Sequence, residues 1–319
     1  MLAVRFHQVG DPSVLRVDEV PDPPAPTGDE LLVAVQASSV NGTDLGLRRG
    51  AAPVLTWGRL PVVPGFDLAG EVLACGPEVT AFVPGDRVVA LLGHRGGGQA
   101  EQVLLRQGRA ALAPRHATAA EAAALPLAGL TALQALHGHA GALLGPGRRV
   151  LVVGASGGIG SFAVQLARLT GAHVTGTASG PKLGFVDGLG VDAVVDHRAQ
   201  PLETLPGQWD VVLDTPGTYG FRRLRHLLTP DGMVVSTRPI AADALRAAIP
   251  GRLRADRRRW AAVMTRPRSQ DLAHLVDLVD RGRLRPSVHR SLPMTEAAAA
   301  HREAETTATG KVVLEAPWR

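Results

Sequence analysis

The sequence predicts an α/β chain in which two architectures share 319 residues. Up to about Ala113 it reads as short β-type runs broken by Gly and Pro, the grammar of an all-β unit with tight turns. From Arg148 apolar strands alternate with helix-length periodic segments, as in a doubly wound parallel sheet. The first of those strands runs through a glycine-rich turn directly into an amphipathic helix.

Taken in order, the first unit holds the runs LLVAVQASSV, LAGEVLACG, DRVVALLG and AEQVLLR, separated by PDPPAP, PGF and VPGDR. After Ala117 the apolar spacing becomes helical. The later strands read RRVLVV, AHVTGTA, DAVVD, WDVVLD, GMVVST and WAAVMT; such continuous apolar runs suit strands covered on both faces. The tail from about Arg268 contains a helix (DLAHLVDLVDRG), a Pro-marked turn and a last strand, KVVLEA, expected to return to the first unit. The alanine run at 297–300 is expected on a helix surface.

Composition excludes several classes. With 45% hydrophobic and 20% charged residues and a net charge of +5, the chain is neither disordered nor collagen-like. Its length favours two domains, each able to bury a core. The single Cys75 forms no intramolecular disulfide and no multi-thiolate zinc site, which fits a reducing cytoplasm. Arg5 and Asp11 interrupt the opening before any secretory apolar run, and no stretch has the length of a membrane helix, so a soluble cytoplasmic protein is expected, with no membrane partner. Arginine supplies 32 of the 34 basic residues, lysine only Lys182 and Lys311, a bias that accounts for the sequence pI of 10.4. The cluster Arg252 to Arg259 reads as a solvated face, with an anionic partner as the alternative.

The turn Gly154-Ala155-Ser156-Gly157-Gly158-Ile159-Gly160 is the expected nucleotide site. Pyrophosphate is held by main-chain N–H groups at a positive helix end, and glycines allow that approach and close helix packing. The competing reading is a glycine-rich turn that merely ends a strand. A cofactor with a free ribose hydroxyl is held by an acid about 20 residues further on. Here the second strand ends in Thr177-Ala178-Ser179-Gly180-Pro181-Lys182, with no carboxylate until Asp187. A hydroxyl and an ammonium suit a 2′-phosphate, so NADPH is expected over NADH. An exposed helix-start lysine is the plainer alternative for Lys182.

Several motifs now combine: Val40-Asn41-Gly-Thr-Asp44, Pro64-Gly65-Phe66-Asp67-Leu-Ala-Gly70, Val83-Pro84-Gly85-Asp86-Arg87-Val88, GGGQAE, EAAALPLAGLTALQAL, GASGGIG and TGKVVL. Together they resemble the zinc-independent quinone oxidoreductase branch of the medium-chain dehydrogenase/reductase superfamily, nearly end to end and in order. The resemblance implies a GroES-like β-barrel catalytic domain from residues 1–119 and 267–319, clasping a Rossmann NADPH-binding domain at 120–266, in a homodimer. It implies that Asn41 and Thr131 lie near the nicotinamide, and Ser179, Lys182 and His197 near the adenosine phosphate, although relatives often have Tyr where His197 stands. Thr215 and Ser236, at the ends of later strands, are either cofactor contacts or simple strand termini.

Relatives with catalytic zinc carry Cys where Asn41 aligns and a His-Glu pair where Phe66-Asp67 stands. Asn and Phe do not build such a site, and the pair His137/His139 has no acid or thiol at metal spacing, so no metal is expected. Some relatives have a tyrosine just after the Asn-x-x-Asp motif; this chain has Gly46, and its only tyrosine is Tyr219. Asp44 is a candidate for ordering the pocket or for a structural cap. His94 is a candidate proton donor, with a surface-loop histidine and a water donor as alternatives. The role of Lys311 stays open.

Without zinc to polarise a carbonyl, a conjugated acceptor is the expected substrate, because hydride addition spreads negative charge onto a distant oxygen. The leading expectation is an NADPH-dependent reductase of a quinone or an α,β-unsaturated carbonyl. The alternatives are an enoyl-thioester reductase acting on a coenzyme A or carrier-protein substrate, and a non-catalytic NADPH- or nucleic-acid-binding protein.

Overall fold

The computed structural model describes residues 1–51, 60–93, 96–238 and 257–317. The chain divides into two compact units, Met1–Leu130 with Arg266–Arg319, and Thr131–Thr265.

In the first unit β1 (Leu2–Phe6) pairs antiparallel with β2 (Leu15–Glu19). The hub is β3 (Glu30–Ser39), whose alternating burial marks one face turned to the core. It is followed by the short helix α1 (Gly42–Arg48), then β4 (Asp67–Cys75), β5 (Arg87–Leu91), β6 (Gln102–Arg106) and β7 (Ala110–Leu112). β3 pairs with both β4 and β6. Two helices follow, α2 (Ala119–Ala123), opened by a Thr118/Glu121 capping box, and α3 (Pro126–Leu133). The division between units lies inside α3, after Leu130 rather than after residue 119, because α2 packs on β3 and β4 of the first unit.

The second unit alternates β8 (Arg149–Val153), α4 (Gly158–Leu169), β9 (His173–Ala178), α5 (Leu183–Gly188), β10 (Ala193–Asp196), β11 (Trp209–Asp214), α6 (Gly220–Leu224), β12 (Leu228–Ser236) and β13 (Arg259–Ala262). The strands are parallel in the order β10-β9-β8-β11-β12-β13. From β8 the chain winds outward to β10, then crosses over to β11. The switch point between β8 and β11 is where such sheets open a crevice beyond their carboxyl ends. Val150 to Val153 and Val211 to Leu213 are buried, and α4 turns Phe162, Ala163, Leu166 and Ala167 inward at helical spacing.

The tail returns to the first unit. Helix α7 (Ser269–Asp280) buries Leu272, Leu275, Val276 and Leu278. Then come β14 (Val288–Pro293), α8 (Ala297–Thr306) and β15 (Lys311–Glu315), which pairs parallel with β14 and antiparallel with β3. The alanine run differs from expectation: Ala297 and Ala300 are buried, so small side chains let α8 lie close to its neighbours. His137 and His139 are exposed in a wide helical turn after α3. Among the described residues no helix is long and apolar enough to cross a membrane. Nor do three His, Cys, Asp or Glu side chains there converge as metal ligands.

Candidate functional site

In the second unit the site is made of main chain. Gly154 follows β8 with φ +72°, a left-handed conformation that a side chain disfavours. Its N–H donates to Thr177 Oγ1 at 3.1 Å, and Ala155 N–H donates to Thr177 O at 2.9 Å, so the turn is tied to β9. Thr215 Oγ1 donates to Val153 O at 2.7 Å, which ties it from β11 as well. Gly157 caps α4 in an extended conformation, and Gly160 sits so close beneath the turn that a Cβ there would lie 2.2 Å from Gly154 O. The first-turn N–H groups of α4, at Gly158, Ile159 and Gly160, have no partner within the helix and sit at its positive end. Ser156 is buried beside them. Such an arrangement could hold an anionic bridge such as pyrophosphate, and the residues present fit a dinucleotide.

The register Asp196↔Ala178 sets the ends of β9 and β10 side by side. Ser179 and Lys182 follow the first, His197 and Arg198 the second, and His197 N–H donates to Ala178 O at 3.1 Å. Lys182 is half-buried, and burial, then the nearby Arg198 charge, holds its ammonium below the usual lysine range. Sequence reasoning missed Arg198 and Thr177. It also missed Asp196, which accepts Arg198 N–H at 2.9 Å and whose other oxygen lies against Gly180. Ser236 is buried at the end of β12, and Thr237 Oγ1 donates to Thr215 O at 2.8 Å. Thr131 pairs through its hydroxyl with Thr265 at 2.7 Å.

In the first unit the candidate residues join a buried network of side chains. Asp44, fully buried on α1, accepts the N–H of Asn41 at 2.9 Å and of Gly65 at 2.7 Å, one on each oxygen. That geometry is a cap for two turns. Burial raises its carboxyl to about 6, and the neighbouring Asp67 adds to the rise. Asp67 accepts Asn41 Nδ2 at 2.8 Å, the Ser39 hydroxyl, and Leu127 N–H of α3 at 2.7 Å. Lys311 of β15 donates to Asn41 Oδ1 and to Val40 O. Ser39, Asp67 and Lys311 escaped sequence reasoning as members of one cluster. Phe66 is buried beside Asp67. His94 lies outside the described residues, as do residues 252–256 of the basic cluster. In the rest of that cluster Arg257 pairs with Asp231 and Arg258 donates to Leu228 O.

Comparison with known proteins agrees with this architecture. The model of the alcohol dehydrogenase GroES-like domain matches residues 27–128, and that of the zinc-binding dehydrogenase family matches residues 189–314. The chloroplast envelope quinone oxidoreductase homolog of Arabidopsis thaliana is 34% identical over 301 residues, covering 92% of this chain and 91% of that one. The solved quinone oxidoreductase of Coxiella burnetii is 30% identical with a TM-score of 0.90, covering 99% of each chain. A mycobacterial protein solved in complex with NADPH is 27% identical with a TM-score of 0.83, covering 99% of this chain and 100% of that one. On fold, motifs and relatives together, the chain is an oxidoreductase and belongs to the quinone oxidoreductase branch of the medium-chain dehydrogenase/reductase superfamily.

Proposed function

We propose that this oxidoreductase is an NADPH-dependent reductase of quinones or α,β-unsaturated carbonyls that works without zinc. The observation that carries the reading is the pair of anion-adapted features in the second unit: the glycine cradle at the head of α4, and Ser179, Lys182, His197 and Arg198 on adjacent strand ends. The cradle suits the pyrophosphate. The Lys182 and Arg198 cations suit a 2′-phosphate, since β9 itself ends without an acid and the Asp196 carboxylate at the end of β10 is engaged by Arg198 N–H. Bound NADPH supplies a hydride.

The positions where zinc-dependent relatives carry ligands hold Asn41, Phe66 and Asp67, and the two polar ones are committed to each other. A phenyl ring offers no ligand. Reduction therefore relies on an acceptor that delocalises charge by itself: hydride adds to the β-carbon of an enone or to a quinone ring, and a proton from water or from His94 completes the reduced product. In this reading Asn41 and Thr131, the latter on α3, lie near the nicotinamide, and Thr215 and Ser236, just after β11 and at the end of β12, lie within the cofactor's reach.

The test is turnover by purified protein with NADPH or NADH against 1,4-benzoquinone, methyl vinyl ketone, crotonyl-CoA and acetone, with and without EDTA. NADPH oxidation by the quinone or enone, unaffected by chelator, is expected. Acetone reduction that EDTA abolishes would overturn the metal-free mechanism. Crotonyl-CoA turned over far faster than the free acceptors would move the assignment to the enoyl-thioester alternative.

A further inference from the structure

Two rare residues of this chain meet in its interior. Lysine occurs at only two positions against 32 arginines, and asparagine occurs once, at Asn41. The Lys311 ammonium donates to Asn41 Oδ1 and, at 3.1 Å, to Val40 O, and stands 3.7 Å from Asp67 Oδ2. The side chains of Lys311 and Asp67 are 4% and 0% exposed.

Arginine does not fit this place. Its guanidinium is a planar fork of five donors, whereas three acceptors here converge on one point, which a compact ammonium with three donors satisfies. In a chain that uses arginine almost everywhere else, a lysine at the convergence of those acceptors marks a geometric demand.

The same contacts orient the Asn41 amide. Lysine only donates and a carboxylate only accepts, so the amide oxygen faces Lys311 and the amide nitrogen faces Asp67, with no freedom to flip. Its second N–H reaches Ser39 O at 3.2 Å. The tail grips α1 at its far end too, where buried Arg48 pairs with Glu305 of α8.

We propose that Lys311 is a positioning residue: from the closing strand it holds the Asn41 amide in one orientation, and through it the turn from β3 into α1. The proposal rests on the reading that Asn41 lies near the nicotinamide.

Because Asn41 is the sole asparagine, protein labelled with 15N-asparagine yields one side-chain amide pair. In the wild type its protons exchange slowly with D2O. Removing a hydrogen bond from a charged donor in Lys311→Met speeds that exchange about 10- to 150-fold. With 1,4-benzoquinone, kcat falls about 10²-fold, the scale of a displaced reacting geometry, while KM for NADPH changes little. Lys311→Arg restores neither. A wild-type amide that exchanges as fast as free asparagine overturns the proposal, as does a folded Lys311→Met protein with unchanged protection or unchanged kcat. Should Lys311→Met fail to fold, a folded Lys311→Arg protein with wild-type protection and kcat overturns it equally. The exchange readout needs no turnover, so an inactive wild type defeats the functional reading and leaves the amide measurement to decide this one.

Discussion

In the Thr131–Thr265 unit the groups proposed to meet the cofactor are main-chain N–H groups at the head of α4, and their positions follow from Gly154, Gly157 and Gly160 in one continuous turn. In the other unit the polar groups are side chains, Ser39, Asn41, Asp44, Asp67 and Lys311, brought from separate segments and satisfied by one another and by main-chain groups of Val40, Asn41, Gly65 and Leu127. The first kind of site is damaged by adding an atom where the backbone has no room. The second is damaged by removing a charge, because a buried partner is then left uncompensated. The difference teaches where each unit tolerates change: the glycine turn has no room for a Cβ at Gly154 or Gly160 but is indifferent to pH, whereas the network accepts no lost partner and responds to protons.

The largest expected effect lies on the backbone side of that comparison. In Gly160→Ala the new Cβ would stand 2.2 Å from Gly154 O and 2.7 Å from Ala155 Cα, both main-chain atoms, so the helix and turn must separate. Two charge-assisted N–H contacts to pyrophosphate at about 1.5 to 3 kcal/mol each are at stake. NADPH affinity should fall about 10²- to 10⁴-fold. Calorimetric titration of a folded variant measures it, and a loss under tenfold would mean that the turn does not cradle the cofactor.

The network side is probed by pH. Burial raises the Asp44 carboxyl from 3.8 to about 6, so between those values the folded chain keeps a proton that the unfolded chain releases. Stability contributed by this group is therefore full below about pH 4, declines as pH rises to about 6, and is flat above, a change of about 3 kcal/mol. Asp44→Asn cannot titrate, and its amide nitrogen replaces an acceptor of either Asn41 N–H or Gly65 N–H, so it carries a constant loss instead. Urea unfolding of both proteins across pH 4 to 7 should give a difference that slopes through the window. A difference independent of pH would mean that Asp44 has an ordinary carboxyl.

The two sites are also unequally legible in the sequence. A strand, three spaced glycines and the helical period of Phe162, Ala163, Leu166 and Ala167 lie in one stretch, so local grammar alone reveals the strand, glycine turn and helix. The partnership of Asn41 with Lys311 spans 270 residues and depends on β15 pairing with β3, which no local pattern encodes. A signal did exist in composition, since a sole asparagine and one of two lysines are odd choices in this chain. Thr177 reads as an ordinary β-branched strand residue, and only the fold turns its hydroxyl to Gly154 N–H. The alanines of α8 carry too little apolar bulk to announce that two of them face inward.

The smallest expected effect tests whether the second unit is purely a backbone site or also reads charge. Lys182 follows β9 and Arg198 follows the neighbouring β10, and the mutual repulsion of two cations is relieved when an anion binds between them. A charge-assisted contact is worth about 1.5 to 3 kcal/mol, so Lys182→Ala should weaken NADPH about 10- to 150-fold. NADH lacks the 2′-phosphate, and its affinity should hardly move. Arg198→Ala should act in the same direction on the same cofactor, and more weakly, because an exposed guanidinium is screened by solvent. Cofactor fluorescence titrations with both nucleotides measure the preference directly. Equal losses for NADPH and NADH would make Lys182 a support for the loop and leave the glycine cradle as the whole of the site. A selective loss would add a charge reader to it, and the contrast between the two units would then be one of degree.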